Sequence, residues 1–258
     1  MPHIITTAER RHCDYLRRRG LQVGNIYEKR LVRARRKELR RVLDIAKMYD
    51  SPEMVAPVIQ ANIDESSYLP EWWTGLWVTA GVPMAKSTAK TLMQAKAAAD
   101  DALWTTTLRR YAKDRAGSEI VSVSGTWKDI LVDILRDILT NETNIGVEAL
   151  TAQLYYRYCK QMERWMCRRI AQTETMIGLA EAADMSAQTL DVAFTKQWAI
   201  SGLGNTRESH EMMDGIEVDQ NEPFSLPGGQ MMYPHDCSMG AAASEIINCA
   251  CDCIRRPK

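Results

Sequence analysis

The sequence predicts an α+β protein: a predominantly helical body to about residue 195, then a small turn-rich, β-containing C-terminal module. Three observations carry this. Upstream, apolar residues recur at helical spacing, most plainly at Ile130, Leu131, Ile134, Leu135, Ile138 and Leu139. Downstream, Asp214-Gly215, Pro227-Gly228-Gly229 and Tyr233-Pro234 punctuate the chain as turns. Between them, Ile216-Glu217-Val218 and Ile246-Ile247-Asn248-Cys249 suit brief strands. The division that follows is 1–126, helical with a basic segment; 127–195, a helical pair; and 196–258, the small module.

Residues 6–20 are polar and basic and end at Gly20, and Gly24-Asn25 reads as a break. From Ile26 to Tyr49, Val32, Leu39, Val42, Leu43 and Ala46 mark one stripe of a helix, with Arg33, Arg35, Arg36, Lys37, Arg40 and Arg41 on the other faces. Pro52 and Pro57 bracket a short apolar segment. The run with Trp72, Trp73 and Trp77 is broken by Gly75, Gly81 and Pro83, and reads as a buried corner. Ser87 is placed to cap a helix over about 88–112, with Leu92, Ala95, Ala99, Leu103 and Leu108 inward. Ile120-Val121-Ser122-Val123 alternates and is expected to be extended. Ser124-Gly125 leads to Thr126, which with Asp129 imitates a capping box before the next helix. Asn141 to Gly146 ends that helix. The longest helical pattern runs from Val147 to about Ala183, with Leu150, Leu154, Tyr158, Met162, Trp165 and Ile170 on its buried side.

At 258 residues, with 45% apolar and 26% charged residues, the chain is long enough for a real core. Its net charge of zero hides an asymmetry: residues 1–43 hold 13 Lys or Arg against 4 Asp or Glu, and the remainder is correspondingly acidic. Such segregation points to a polyanionic partner, or else to a solvated helix face with paired charges. The N-terminus lacks the apolar core of a signal peptide, and no run approaches the ~20 apolar residues of a membrane span, so no membrane partner is expected. Seven cysteines, an odd number, do not read as a secreted disulfide scaffold, and a reducing cytosol is the default.

An ordered string of landmarks runs through the last third. It comprises Trp198, Asn205-Thr206-Arg207-Glu208-Ser209-His210, Met213-Asp214-Gly215, Glu222-Pro223-Phe224, Pro227-Gly228-Gly229, Tyr233-Pro234 and Glu245-Ile246-Ile247-Asn248-Cys249-Ala250-Cys251. Upstream stands Arg169-Ile170-Ala171-Gln172-Thr173-Glu174-Thr175. Over roughly residues 127–253 this string resembles the phage Mu F-type minor head proteins. The resemblance implies a low-copy virion component of a tailed phage or prophage, bound to the portal and capsid components. It would act in head morphogenesis and DNA packaging or delivery by binding, not as an enzyme, and would occupy the host cytoplasm during assembly. It also implies structural roles for Glu174, Trp198, Arg207, His210, Asp214, Gly215, Asn248, Cys249 and Cys251, and a meeting of Glu174 and Arg207, or their near neighbours, in the fold. For packaged double-stranded DNA the candidate contacts are Arg17, Arg18, Arg19, Arg33, Arg35, Arg36, Lys37, Arg40 and Arg41, a surface fit to neutralise phosphates without reading bases.

Cys249, Cys251 and Cys253 alternate, which on a strand sends all three side chains to one face. With His235 and Cys237, and His210 as a further donor, they offer ligands for a zinc ion; the alternatives are small buried thiols or a disulfide. His210-Glu211-Met212-Met213-Asp214 resembles a damaged zinc-peptidase motif, but the glycines around it leave little room for the helix that chemistry needs. No phosphate loop, dinucleotide fingerprint or nucleophile elbow is present, so the expected cofactor is none, with zinc as the exception. Two rival readings are a metal-dependent hydrolase or toxin built on His210, His235 and the cysteines, and a host-side nucleic-acid-binding protein.

Overall fold

The computed structural model describes residues 3–93, 101–142, 144–190, 192–201 and 206–258, leaving aside the side chains of 116–121 and 161–162. Ala95, Ala99, Gly204 and Asn205, and the side chain of Met162, lie outside the described residues. The helices are α1 (Thr7–Lys47), α2 (Val55–Asn62), α3 (Leu69–Leu92), α4 (Asp101–Asn141), α5 (Val147–Arg157) and α6 (Glu163–Gln188), with single turns α7 (Glu208–Glu211) and α8 (Ala243–Ile246). The strands are β1 (Phe194–Ala199), β2 (Glu217–Asp219), β3 (Phe224–Leu226), β4 (Gly229–Met231) and β5 (Asp252–Pro257). A helical body with a small β-containing C-terminal module is therefore the fold.

The chain forms two compact units, each assembled from segments far apart in sequence: Met1–Asn25, Thr74–Ala112 and Arg169–Lys258 in one, Ile26–Trp73 and Lys113–Arg168 in the other. The helices α1, α3, α4 and α6 each contribute residues to both units.

In the second unit, α1 supplies Leu39, Val42, Leu43 and Ala46 to a core with Val55, Val58 and Ile59 of α2. Trp127, Leu131, Leu135 and Ile138 of α4 and Leu150 and Leu154 of α5 complete it. The i, i+4 spacing of the α4 residues puts them on one face, as the sequence indicates. Within this core Arg35 and Glu65 form an ion pair, both side chains 0% exposed, with Nε to Oε1 at 2.8 Å and Nη2 to Oε2 at 3.1 Å. Tyr68 and Ser124 donate their hydroxyls to the same carboxylate, and the guanidinium lies over the Trp127 ring. A π-helical turn, Tyr158–Met162, joins α5 to α6.

In the first unit, α1 begins with a capping box: Thr6 Oγ1 accepts the Glu9 N–H while the Glu9 carboxylate accepts the Thr6 N–H. Met84, Ala85 and Ala89 of α3, Trp104 and Leu108 of α4 and Met176, Leu179 and Ala183 of α6 form its core, with Leu16 and Val23 of α1 against it. Glycine makes this packing close. A Cβ on Gly81 would stand 2.9 Å from the Ala182 Cβ and from Leu108 Cδ1. One antiparallel sheet has the order β2-β1-β5, with Trp198 opposite Cys253 and Lys196 opposite Arg255, and β3 and β4 form a separate hairpin.

Several local expectations are corrected. Gly20 and Gly24-Asn25 lie inside α1, where the glycines admit Leu179 and Thr175 of α6. The Trp-rich run is helix α3 and continues through Pro83, so Ser87 is interior to it and caps nothing. Ile120 to Val123 is helical and Thr126 lies mid-helix, its hydroxyl bonded to the Ser122 carbonyl, because tertiary packing extends α4 without a break. Leu103 and Trp165 are exposed, not inward. Ile246 to Cys249 is the end of α8 and a turn, and the last strand starts only at Asp252.

Candidate metal centre and the C-terminal module

The module is built around Trp198 of β1, which is fully buried. Its N–H donates to the Ile216 carbonyl and its carbonyl accepts from Gly215, both at 2.9 Å, so the Asp214-Gly215 turn is locked onto the strand. Gly215 has φ of +82°, a conformation in which a side chain is strained. The Asp214 carboxylate accepts the Ile200 N–H and pairs with Arg10 of α1 at 2.7 Å. The Trp198 ring meets His210 and Phe224 edge-on, with centroids 5.3 Å apart in both pairs.

His210 stands on α7 and is 1% exposed. Its Nε2 lies 2.9 Å from Glu245 Oε2 on α8, and Ser209 donates to the same oxygen. A carboxylate only accepts, so Nε2 carries the proton and Nδ1 presents its lone pair on the other side. That lone pair faces two sulfurs, Cys249 Sγ at 3.5 Å and Cys251 Sγ at 3.4 Å. The three donor atoms lie within 4.8 Å of one another in a buried setting, and the group could hold a metal ion. Asn248, at φ of +57°, turns the chain after α8 so that both cysteines reach back to His210. The Cys251 N–H points at Cys249 Sγ at 3.4 Å. The Cys249 thiol is held below its ordinary value, first by the Cys251 thiol donating to it, while that shared hydrogen bond and burial push Cys251 up.

The other expected ligands stand apart from this group. His235 Nε2 is 3.1 Å from the Cys251 carbonyl, and burial lowers its basicity. Cys237 Sγ donates to the His235 carbonyl. Cys253 is inside β5, opposite Trp198. The expectation that all three cysteines share one face fails because Cys249 and Cys251 precede the strand instead of belonging to it. Glu245 opens the last landmark of the string, but no spacing to His210, 35 residues away, announces that the two pair.

Glu174 is buried on α6, and Arg207 donates to the Ile247 carbonyl. Thr173 Oγ1 accepts the Asn248 N–H at 3.4 Å, so Thr173 and Arg207 each bond one residue of the Ile247-Asn248 turn.

The nine candidate DNA contacts separate into distinct environments. Arg17 is buried against Asp14 and the Ala250 carbonyl, and Arg35 is buried with Glu65; neither guanidinium is available to a phosphate. Arg36 pairs with Glu163, Arg41 with Glu38, and Arg40 lies over the Tyr155 ring. Arg18, Arg19, Arg33 and Lys37 are exposed. Part of the basic excess is thus answered by acids elsewhere in the chain.

No protein-family model and no solved structure matches the chain. It is similar to the uncharacterized protein YqbB of Bacillus subtilis (strain 168), 28% identical over 123 residues, which make up 46% of this chain and 40% of that one. It is also similar to the NAD(+)–arginine ADP-ribosyltransferase EFV of Enterococcus faecalis (strain ATCC 700802 / V583). There the identity is 34% over 89 residues, 33% of this chain and 18% of that one. The chain spans less than half the length of either relative. Among the described residues no helix is long and apolar enough to cross a membrane.

Proposed function

We propose that this chain is a minor head protein of a tailed phage or prophage that works by binding portal, capsid components and packaged DNA. One observation carries the reading. The landmark residues that resemble the Mu F-type proteins, spread over some fifty positions, converge in one interlocked module: Trp198 against His210, Gly215 on Trp198, and His210 on Cys249 and Cys251. Residues that hold one another in place form a fold signature, and a signature supports kinship more strongly than scattered identities. The exposed cations Arg18, Arg19, Arg33 and Lys37 are the surface offered to DNA, and non-specific charge attraction is what a protein among packaged duplexes needs. Mass spectrometry of purified particles from a strain carrying the gene tests this: the chain should co-purify in low copy with portal and capsid proteins. Its absence from particles that contain both would sink the reading.

The similarity to an arginine ADP-ribosyltransferase favours a second reading, transfer of ADP-ribose from NAD(+) to arginine. It covers 18% of that protein. Incubation of the full chain with labelled NAD(+) and an arginine-rich acceptor separates the two, since the binding reading expects no label above a protein-free control.

A further inference from the structure

The geometry points to a zinc ion held by His210 Nδ1, Cys249 Sγ and Cys251 Sγ, which locks α7 to the chain segment before β5. The distances fit. With Zn–S near 2.3 Å and Zn–N near 2.05 Å, tetrahedral angles put nitrogen and sulfur about 3.5 Å apart. The two separations in the structure are 3.5 and 3.4 Å. The surroundings fit as well. A metal-bound histidine commonly donates its other ring N–H to a carboxylate, and His210 gives Nε2–H to Glu245, itself braced by Ser209. The Cys251 N–H directed at Cys249 Sγ is the hydrogen bond a thiolate accepts.

Charge fits too. A divalent ion, two thiolates and a neutral imidazole sum to zero, so the assembled unit is tolerable where His210, Cys249 and Cys251 are each no more than 5% exposed. Binding releases the thiol protons to solvent, and sulfur donors favour zinc over magnesium or calcium. Among the described residues no fourth His, Cys, Asp or Glu joins the group, which leaves one position of the tetrahedron without a protein donor. Gly228 keeps Glu245 in place: a Cβ there would stand 2.6 Å from Glu245 Cγ and Oε1.

The test uses the full chain, purified under reductant without chelator. Elemental analysis should find ~1 zinc per chain, and exchange into cobalt(II) should give the thiolate-to-metal charge-transfer band of a tetrahedral sulfur-bound site. Cys251→Ser should weaken zinc binding at least ~100-fold, Glu245→Gln by ~10–100-fold, and Cys253→Ser should leave it unchanged. If Cys251→Ser does not fold, the wild-type cobalt spectrum and Glu245→Gln decide. The inference is overturned by a folded wild type that takes up no zinc on dialysis against excess, or by a Cys249–Cys251 disulfide in freshly isolated protein. Loss of zinc in Cys253→Ser alone would overturn it equally. None of these results depends on whether the chain is found in particles.

Discussion

Arg35 shows what a single side chain does in the second unit. It carries a full charge at 0% exposure, and Glu65 across from it also accepts from Tyr68 and Ser124. Taking a carboxylate and a guanidinium out of water is costly, and mutual attraction with the four hydrogen bonds to the carboxylate offsets it, although Arg35 Nη1 has no hydrogen-bond partner among the described residues. Arg35→Ala should therefore destabilise by about 3–5 kcal/mol in urea unfolding, because it strands the Glu65 carboxylate. A loss under about 1 kcal/mol would mean that water reaches the pair. Glu9 is a milder case. Burial pushes its carboxyl up, but hydrogen bonds from Arg256 and Thr6 outweigh this and hold it down to about 2, against an ordinary 4.5. A depressed folded value gives stability that is present above pH 4.5 and lost as the pH falls toward 2. Glu9→Gln should lower stability near neutrality and flatten the stability–pH curve in that window, so that variant and wild type converge as the pH falls toward 2.

At the level of the element, two helical glycines separate propensity from packing. Gly81 of α3 faces Ala182 and Leu108 so closely that a methyl group cannot enter without displacing a helix. Gly125 of α4 has nothing within 4 Å of where its Cβ would be. Alanine favours a helix interior over glycine by about 1 kcal/mol, whereas overpacking costs about 1–3. Gly125→Ala should then raise the melting temperature and Gly81→Ala should lower it. The same melting scan on both variants checks this, and a gain at both sites would show that the packing at Gly81 is loose.

For the whole molecule, DNA binding is the measurable consequence of the charge distribution. Cations that are buried or paired release few counterions, so the salt dependence should be set by the exposed set. Arg33→Ala with Lys37→Ala should lower the log–log salt slope by about 0.9 for each phosphate that the variant no longer neutralises. Altering Arg17 or Arg35 should change folding before affinity. A gel shift with random duplex DNA at about 50 mM salt checks the starting point, because at that ionic strength exposed cations are only weakly screened. No shift by a folded full-length chain would assign these residues to acidic protein partners instead.

The fold class, the α4 core face and the turns of the module are legible in residue order alone, because these are local: side-chain period, glycine and proline geometry, and apolar spacing act within a few residues. Residue order also brought out the landmark string whose members meet in the module. Which donors converge depends on how the folded chain packs. Cys249, Cys251 and Cys253 are equivalent by spacing, yet Asn248 turns two of them toward His210 and the start of β5 takes the third into the sheet. Nor does the sequence distinguish Arg35, buried with Glu65, from Lys37 two residues on, which is exposed. Partner choice across 30 or more positions depends on how helices pack, and no local pattern encodes that.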